Sequence, residues 1–252
     1  LPPGQGGRGP ALAPGATASA SPRPISPEGP AVTHASPFPV GPVGQRLEVT
    51  VRTAGRSPVR YPDLWIPLLG RHQLANAAAA VGTLEALRRR GFDVPPDAVR
   101  RGLALARWPG RFEVIPGEPP LVLDAAHNPD GARALARTVA EVYPGRRVAL
   151  VVGVVRDKDA RGILEPLLPL ARSVIAARPD SPRAMEPGAL AALAAALGSL
   201  AVAVRDLRRA VERGIQAAAE AGVGLFCGSI YLVGRVRTLL REEFGRPPAQ
   251  GG

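Results

Sequence analysis

An acid and a histidine follow a short apolar run in the segment Leu121-Val-Leu-Asp-Ala-Ala-His-Asn-Pro129. Asp124 and His127 are residue types that can hold an ammonium group, accept a proton or contact a phosphate. The Asn-Pro-Asp sequence beginning at Asn128 is typical of a helix N-terminus, where free N–H groups favour anions. The segment therefore predicts a strand that ends in a ligand site. The alternative is that Asn128 only caps a helix and His127 only fills a loop.

Strands and helices must alternate regularly to position these residues. From residue 111 onward, the predicted strands are 111–115, 121–123, 148–153, 173–177, 201–204 and 223–227, and the predicted helices are 129–142, 159–171, 186–197, 206–221 and 231–243. This alternation predicts an α/β fold with a Rossmann-like, doubly wound and mostly parallel sheet. The first strand is expected to pair antiparallel at an edge, because only a short turn separates it from the second.

The sequence before residue 111 divides into two parts. Residues 45–110 predict strands at 47–51 and 64–69 and helices at 72–90 and 95–106, which would form the tail end of an α/β domain. Residues 1–44 are rich in Pro, Gly, Ala and Ser without an apolar period, so we expect them to be disordered or irregular. Residues 246–252 are expected to form a tail.

Arginine carries almost all of the formal charge of +11, which favours anionic partners. Nucleic acid is not expected, because acids lie between the arginines, aromatic residues make up 4% of the chain and no zinc-ligand spacing occurs. The single cysteine, Cys227, fits a core position and a reducing cytoplasm. No apolar run has the length of a membrane span, so no membrane partner is expected. We also expect a monomer and, since the chain starts at Leu1, a fragment.

Further short motifs agree with one family. They are Gly70-Arg-His-Gln-Leu-Ala-Asn76, Trp108-Pro-Gly-Arg-Phe-Glu113, Asp157-Lys-Asp159, Ser181-Pro-Arg-Ala184 and Gly228-Ser-Ile-Tyr-Leu-Val-Gly234. In this order the chain resembles the C-terminal half of the folylpolyglutamate synthase / dihydrofolate synthase branch of the Mur ligase family, over about residues 45–242. Ala125 departs from the glycine usual in that family. The resemblance implies a remnant of the central ATPase domain at 45–110 and a Mur ligase C-terminal domain at 111–245.

The resemblance implies an ATP-dependent ligase that adds L-glutamate to a folate or dihydropteroate carboxylate through an acyl phosphate. Such a reaction needs a phosphate cradle and Mg²⁺. A Walker loop requires Gly-Lys-Ser/Thr, yet the one lysine, Lys158, stands between two aspartates. The resemblance implies that the cradle and the Mg²⁺ ligands belong to a missing N-terminal part, so no metal site is expected here. The isolated chain is expected to be inactive.

By the resemblance, Asn76 contacts adenine, Arg111 reaches the ATP phosphates, and His127 lies near the nucleotide. A guanidinium can hold phosphate oxygens in a fork that lysine cannot reproduce. The alternatives are that Asn76 is a helical residue facing solvent and that Arg111 is a surface charge at the start of a strand.

The catalytic pair implied by the resemblance is Asp124 and His127. Asp124, Arg183 and Ser229 are the implied glutamate-binding residues. Asp124 could hold the attacking ammonium or orient the histidine, and the N–H groups near Ser229 suit a carboxylate. Asp157 has either a role in the site or only a capping role at the next helix.

Two other functions stay open. One is a Mur ligase fragment that acts on a nucleotide-linked peptidoglycan precursor, and the other is a non-catalytic module that binds glutamate or a nucleotide. A Walker loop encoded directly upstream would distinguish the enzyme from the binding module.

Overall fold

The computed structural model describes residues 16–22, 44–53 and 55–246, which form two α/β parts. The first part contains β1 (Ala16–Pro22), β2 (Gln45–Thr53), β3 (Val59–Ile66), α1 (Arg71–Arg88) and α2 (Pro96–Ala104). The second contains β4 (Glu113–Ile115), β5 (Leu121–Asp124), α3 (Pro129–Val142), β6 (Val148–Val152), α4 (Ala160–Leu164), β7 (Ala171–Ala177), α5 (Pro187–Ala196), β8 (Ala201–Val204), α6 (Leu207–Ala221), β9 (Gly224–Cys227) and α7 (Ile230–Glu242).

The first part is an antiparallel sheet of order β1-β2-β3. Its core contains the apolar residues that alternate along β2, Leu47, Val49 and Val51, as the sequence predicted. The next strand is displaced, since β3 spans residues 59–66 rather than 64–69. Residues 1–44 were expected to be irregular throughout, and for β1 this is wrong, because β1 pairs with all of β2 except its first two residues. Residues 1–15, 23–43, 54 and 247–252 lie outside the described part.

The second part is a six-stranded sheet of order β4-β5-β9-β6-β7-β8. β4 pairs antiparallel with β5 at the edge, and the other neighbours are parallel. One core cluster packs α3, α4 and α5 against one face of the sheet, and a second packs α6 and α7 against the opposite face. The doubly wound, mostly parallel sheet and its antiparallel edge are therefore confirmed.

The predicted helix over 159–171 is wrong. α4 ends at Leu164, a 3-10 turn follows at Leu168–Leu170, and β7 already begins at Ala171. Proline at positions 166 and 169 explains the difference, because proline lacks the backbone N–H and its ring clashes with the preceding helical turn.

The carboxyl ends of β5, β9 and β6 lie in one row. Cys227 at the end of β9 pairs in register with Asp124 on one side and Val152 on the other. After β5 the chain enters α3 on one face, whereas after β9 it enters α7 on the opposite face. Neighbouring strands whose connections leave to opposite faces open a crevice at their carboxyl ends.

None of the helices in the described part is long and apolar enough to cross a membrane.

Candidate functional site

Asp124 lies at the end of β5 and is only 6% exposed. Its carboxylate accepts one hydrogen bond from the Phe112 N–H and one from the Ala126 N–H, both at 2.8 Å. Burial raises the pKa of Asp124, and the two backbone hydrogen bonds and Arg111 oppose that shift. Both oxygens thus bind the protein's own backbone, which indicates that Asp124 holds two segments together.

His127 follows in the loop between β5 and α3, and its side chain is exposed. Its Nδ1 lies 2.9 Å from the Ala125 carbonyl oxygen. A carbonyl oxygen can only accept, so Nδ1 carries the hydrogen and the neutral ring keeps its lone pair on Nε2. Nε2 is therefore the atom that can accept a proton or a hydrogen bond from a ligand. Asn128 caps α3 by accepting from the Gly131 N–H at 2.7 Å, so its capping role is confirmed.

Ala125, the departure from the family pattern, is tolerated by the backbone. In the described part, the non-glycine residues with positive φ are Asp63 and Phe112, so Ala125 does not adopt a left-handed conformation. Its N–H donates to the Gly110 carbonyl at 2.7 Å, which ties the loop after β5 to the segment before β4.

Arg111 lies in this segment, between the two parts of the chain. It is exposed, and its guanidinium carbon is 5.7 Å from the centre of the Trp108 ring. The next residue, Phe112, is buried and has a φ of 45°, a conformation that costs a bulky residue energy. The Phe112 N–H is the donor to Asp124, so the Asp124 carboxylate stabilises the backbone that presents Arg111.

Ser229 follows β9 and is 2% exposed. Its Oγ accepts from the Tyr231 N–H at 3.2 Å and so caps α7. Because β9 is the direct parallel neighbour of β5, Ser229 and His127 both follow strands that end at the same edge of the sheet. Cys227 is fully buried in the core, as the sequence predicted.

Arg183 lies further along the same edge, in the loop after β7. Its Nη1 is 3.3 Å from Asp157 Oδ1, and both side chains are about half exposed. This pair joins the loops after β6 and β7, and a bridge between Val155 and Ala184 reinforces the contact. The helix cap at α4 is Asp159 rather than Asp157, because Asp159 Oδ1 accepts from the Gly162 N–H.

Asn76 lies on an exposed face of α1, where its Nδ2 donates to Gln73 Oε1 at 3.0 Å. The interpretation as an asparagine facing solvent therefore agrees with its exposure. His72, at the start of the same helix, is half-buried, and burial, with Arg111 and Arg137 nearby, lowers its pKa. Arg71 forms a 2.7 Å ion pair with Glu141 of α3. These contacts place the start of α1 beside α3 and Arg111.

Sequence reasoning overlooked Glu113, Arg237 and His72. Glu113 accepts from the Gly110 N–H and pairs with Arg237 of α7. A glutamate within the otherwise apolar strand Glu113–Ile115 was the available signal. Arg237 gave none, because it is one of many arginines.

No metal centre is formed by the described residues, since no group of three or more His, Cys, Asp or Glu could hold an ion.

Residues 110–230 match the family described as Mur ligase, glutamate ligase domain. The domain that contains residues 110–230 is therefore a Mur ligase glutamate ligase domain. It is similar to the probable bifunctional folylpolyglutamate synthase/dihydropteroate synthase of Halobacterium salinarum, with 41% identity over 180 residues, covering 71% of this chain and 21% of that protein. It is also similar to the dihydrofolate synthase/folylpolyglutamate synthase of Mycobacterium tuberculosis, with 38% identity over 205 residues, covering 75% of this chain and 41% of that protein.

A solved structure supports the same relation. The Mycobacterium tuberculosis folylpolyglutamate synthase complexed with ADP and AMPPCP matches with a TM-score of 0.70 and 34% identity, covering 82% of this chain and 48% of that one. The chain thus spans less than half the length of these relatives.

Proposed function

We propose that this Mur ligase chain forms the C-terminal part of an ATP-dependent ligase that adds L-glutamate to a folate or dihydropteroate carboxylate. The observation that carries the proposal is the buried Asp124 carboxylate, which ties the segment presenting Arg111 to the loop presenting His127. A guanidinium and an imidazole are thereby held beside one crevice. Phosphoryl and acyl-phosphate chemistry needs such cationic and proton-accepting groups.

The nucleotide side of the proposed site consists of Arg111, His127 and Asn76. Arg111 is exposed in the linker between α2 and β4, residues 105–112, so its guanidinium is available to phosphate oxygens. Asn76 offers a donor and an acceptor edge on the exposed face of α1, which suits the edge of an adenine ring. His72 lies four residues before Asn76 at the start of α1 and is near Arg111, so the start of α1 belongs to the same positively charged junction.

The amino-acid side of the proposed site lies where β5 and β9 end. The glutamate amine forms a C–N bond with the acyl carbon, the C–O bond to phosphate breaks with its electron pair leaving on the phosphate, and the amine loses a proton. His127 Nε2 carries a lone pair that can accept this proton at the carboxyl edge of the sheet. Ser229 and the start of α7 suit a glutamate carboxylate, and Arg183 does so further along the edge.

Asp124 has a positioning role in this proposal. Its oxygens are bonded to backbone N–H groups and its side chain is buried, so it orients Arg111 and His127 rather than meeting the ammonium itself. Mg²⁺ would neutralise phosphate charge when bound, but the donor sets of the described residues do not fit it. Its ligands and the Walker loop would come from residues that this chain does not include.

A chimera tests the proposal. Residues 45–246 replace the matching C-terminal portion of the Mycobacterium tuberculosis relative, and ADP release and glutamylated product are measured with a folate, ATP and L-glutamate. We expect product formation that falls by about 100-fold or more in His127→Ala, the usual range for a lost proton acceptor. Asp130→Ala, an exposed change in the first turn of α3, is the matched control. A folded chimera that binds ATP but forms no glutamylated product would refute the proposal.

The chain by itself is expected to release no ADP, because it has no Gly-Lys-Ser/Thr sequence. Turnover by the 252-residue chain above that of its His127→Ala variant would contradict this expectation.

A further inference from the structure

An ion pair between Glu113 of β4 and Arg237 of α7 contacts the linker that joins the two parts of the chain. Arg237 Nε is 2.9 Å from Glu113 Oε1 and 3.1 Å from Oε2, although the residues are 124 positions apart. The Glu113 side chain is 14% exposed and that of Arg237 is 32% exposed. The pair is therefore shielded enough to matter more than an ordinary surface ion pair.

The same carboxylate also holds the linker. Glu113 Oε2 accepts from the Gly110 N–H at 2.7 Å, and the Gly110 carbonyl accepts from the Ala125 N–H at 2.7 Å. Gly110 is buried with a φ of 70°, and a side chain there would meet Val233 Cγ1 of α7 at 2.9 Å. The N–H and the carbonyl of Gly110 are thus both hydrogen-bonded, and the residue packs against α7, so its backbone is constrained.

Arg111 lies between two anchored residues. Gly110 is fixed by Glu113 and Ala125, and Phe112 is fixed by Asp124. Upstream, residues 106–108 belong to no helix or strand, and the Leu105 and Trp108 side chains are about two-thirds exposed. Freedom to bend is therefore greater before Trp108 than after it.

We propose that Arg237 is a positioning residue for Arg111. Acting through Glu113 and Gly110, it makes the linker from residue 110 onward part of the C-terminal domain. Any movement of that domain then carries Arg111 with it as a rigid body, and the bending occurs at 105–107. The relevance of this positioning to nucleotide binding rests on the proposed function, whereas the anchoring itself does not.

Amide hydrogen exchange on the 252-residue chain tests the anchoring. In Arg237→Ala we expect the Gly110 and Ala125 amides to exchange about tenfold faster or more, with the amides of β6 and β9 unchanged. The matched control is Arg241→Ala, one turn further along α7, where the arginine pairs with its neighbour Glu242. Equal protection of Gly110 and Ala125 in the wild type and in a folded Arg237→Ala variant would overturn the inference.

Two further variants keep the test decisive if Arg237→Ala does not fold. Arg237→Lys retains a cation and should restore most of the protection. Glu113→Gln keeps an acceptor for Gly110 but weakens the bond to Arg237, so the two amides should exchange at intermediate rates. The inference is also overturned if Glu113→Gln protects the Gly110 and Ala125 amides as well as the wild type does. The same holds if these two amides exchange in Arg237→Lys as fast as they do in the unfolded chain.

The chimera described above separates positioning from simple structural support. Arg237→Ala should raise the KM for ATP roughly three- to tenfold and change kcat much less, and it should add no further loss to Arg111→Ala, because coupled residues are not additive. Full additivity would mean that Arg237 does not act through Arg111. An inactive wild-type chimera would count against the proposed function alone, since amide exchange still decides the anchoring.

Discussion

Replacement of Asp124 by alanine should destabilise the C-terminal domain, because the carboxylate is the acceptor for two buried N–H groups. The donors belong to Phe112, which is 4% exposed, and Ala126, which is 9% exposed. Both donors belong to buried residues, so neither faces bulk water when its acceptor is removed. The variant thus leaves two buried backbone donors without a partner, which costs more than the loss of one ion pair at the surface.

The magnitude follows from these two bonds. A buried donor without a partner costs about 1–3 kcal/mol, so Asp124→Ala should cost about 2–6 kcal/mol. Removal of a buried carboxylate recovers part of this, which favours the lower half of the range. Asp124→Asn keeps one acceptor oxygen and turns its amide nitrogen toward the second donor, so it should cost about half as much.

Urea unfolding followed by far-ultraviolet circular dichroism measures these differences. The control is Asp130→Ala, six residues away, whose exposed side chain pairs with Arg133 and should contribute less than about 1 kcal/mol. The reasoning is refuted if Asp124→Ala costs no more than Asp130→Ala. It also fails if the asparagine and alanine variants are equally destabilised, since the loss would then not scale with the lost acceptors.

The remaining predictions concern pH, the linker and the first strand. Burial raises the pKa of Asp124 above its ordinary value of 3.8, so the bound proton stabilises the folded state at low pH, and that contribution is lost as pH rises through the raised pKa. The difference in unfolding free energy between wild type and Asp124→Asn should therefore fall over this pH window. A difference that does not change with pH would contradict the shift. Gly110→Ala should cost about 1–3 kcal/mol, because φ is 70° and the new methyl group meets Val233, and a thermal midpoint equal to that of wild type would exclude such strain. Deletion of residues 1–43 removes β1 and should lower the thermal midpoint below that of a chain lacking only residues 1–15; equal midpoints would show that β1 adds nothing to β2.

Local patterns in the sequence were sufficient to predict most of the second part. Runs of apolar residues separated by helix-start signals predicted its six strands and most of its helices, because strand burial and capping depend on neighbouring residues. The helix over 159–171 failed for a local reason as well, since prolines within it were given too little weight. The strand β1 was not predicted, because the alanines that alternate with Thr and Ser along it carry little apolar surface and a weak strand preference, and because its pairing with β2 is a long-range contact.

The residue types of the site were readable from the sequence, and their roles were not. Short motifs identified Arg111, Asp124, His127 and Ser229, since each stands at a recognisable junction between a strand and a helix. Only the tertiary structure shows that Asp124 is bonded to Phe112 and Ala126, and that Arg237 reaches the linker through Glu113. Chain order does not encode which strands become neighbours. β9 lies beside β5 because the connection from β8 through α6 returns the chain to the gap between β5 and β6. Burial, hydrogen-bond partners and pKa shifts all depend on that proximity, so they emerge only when the chain folds.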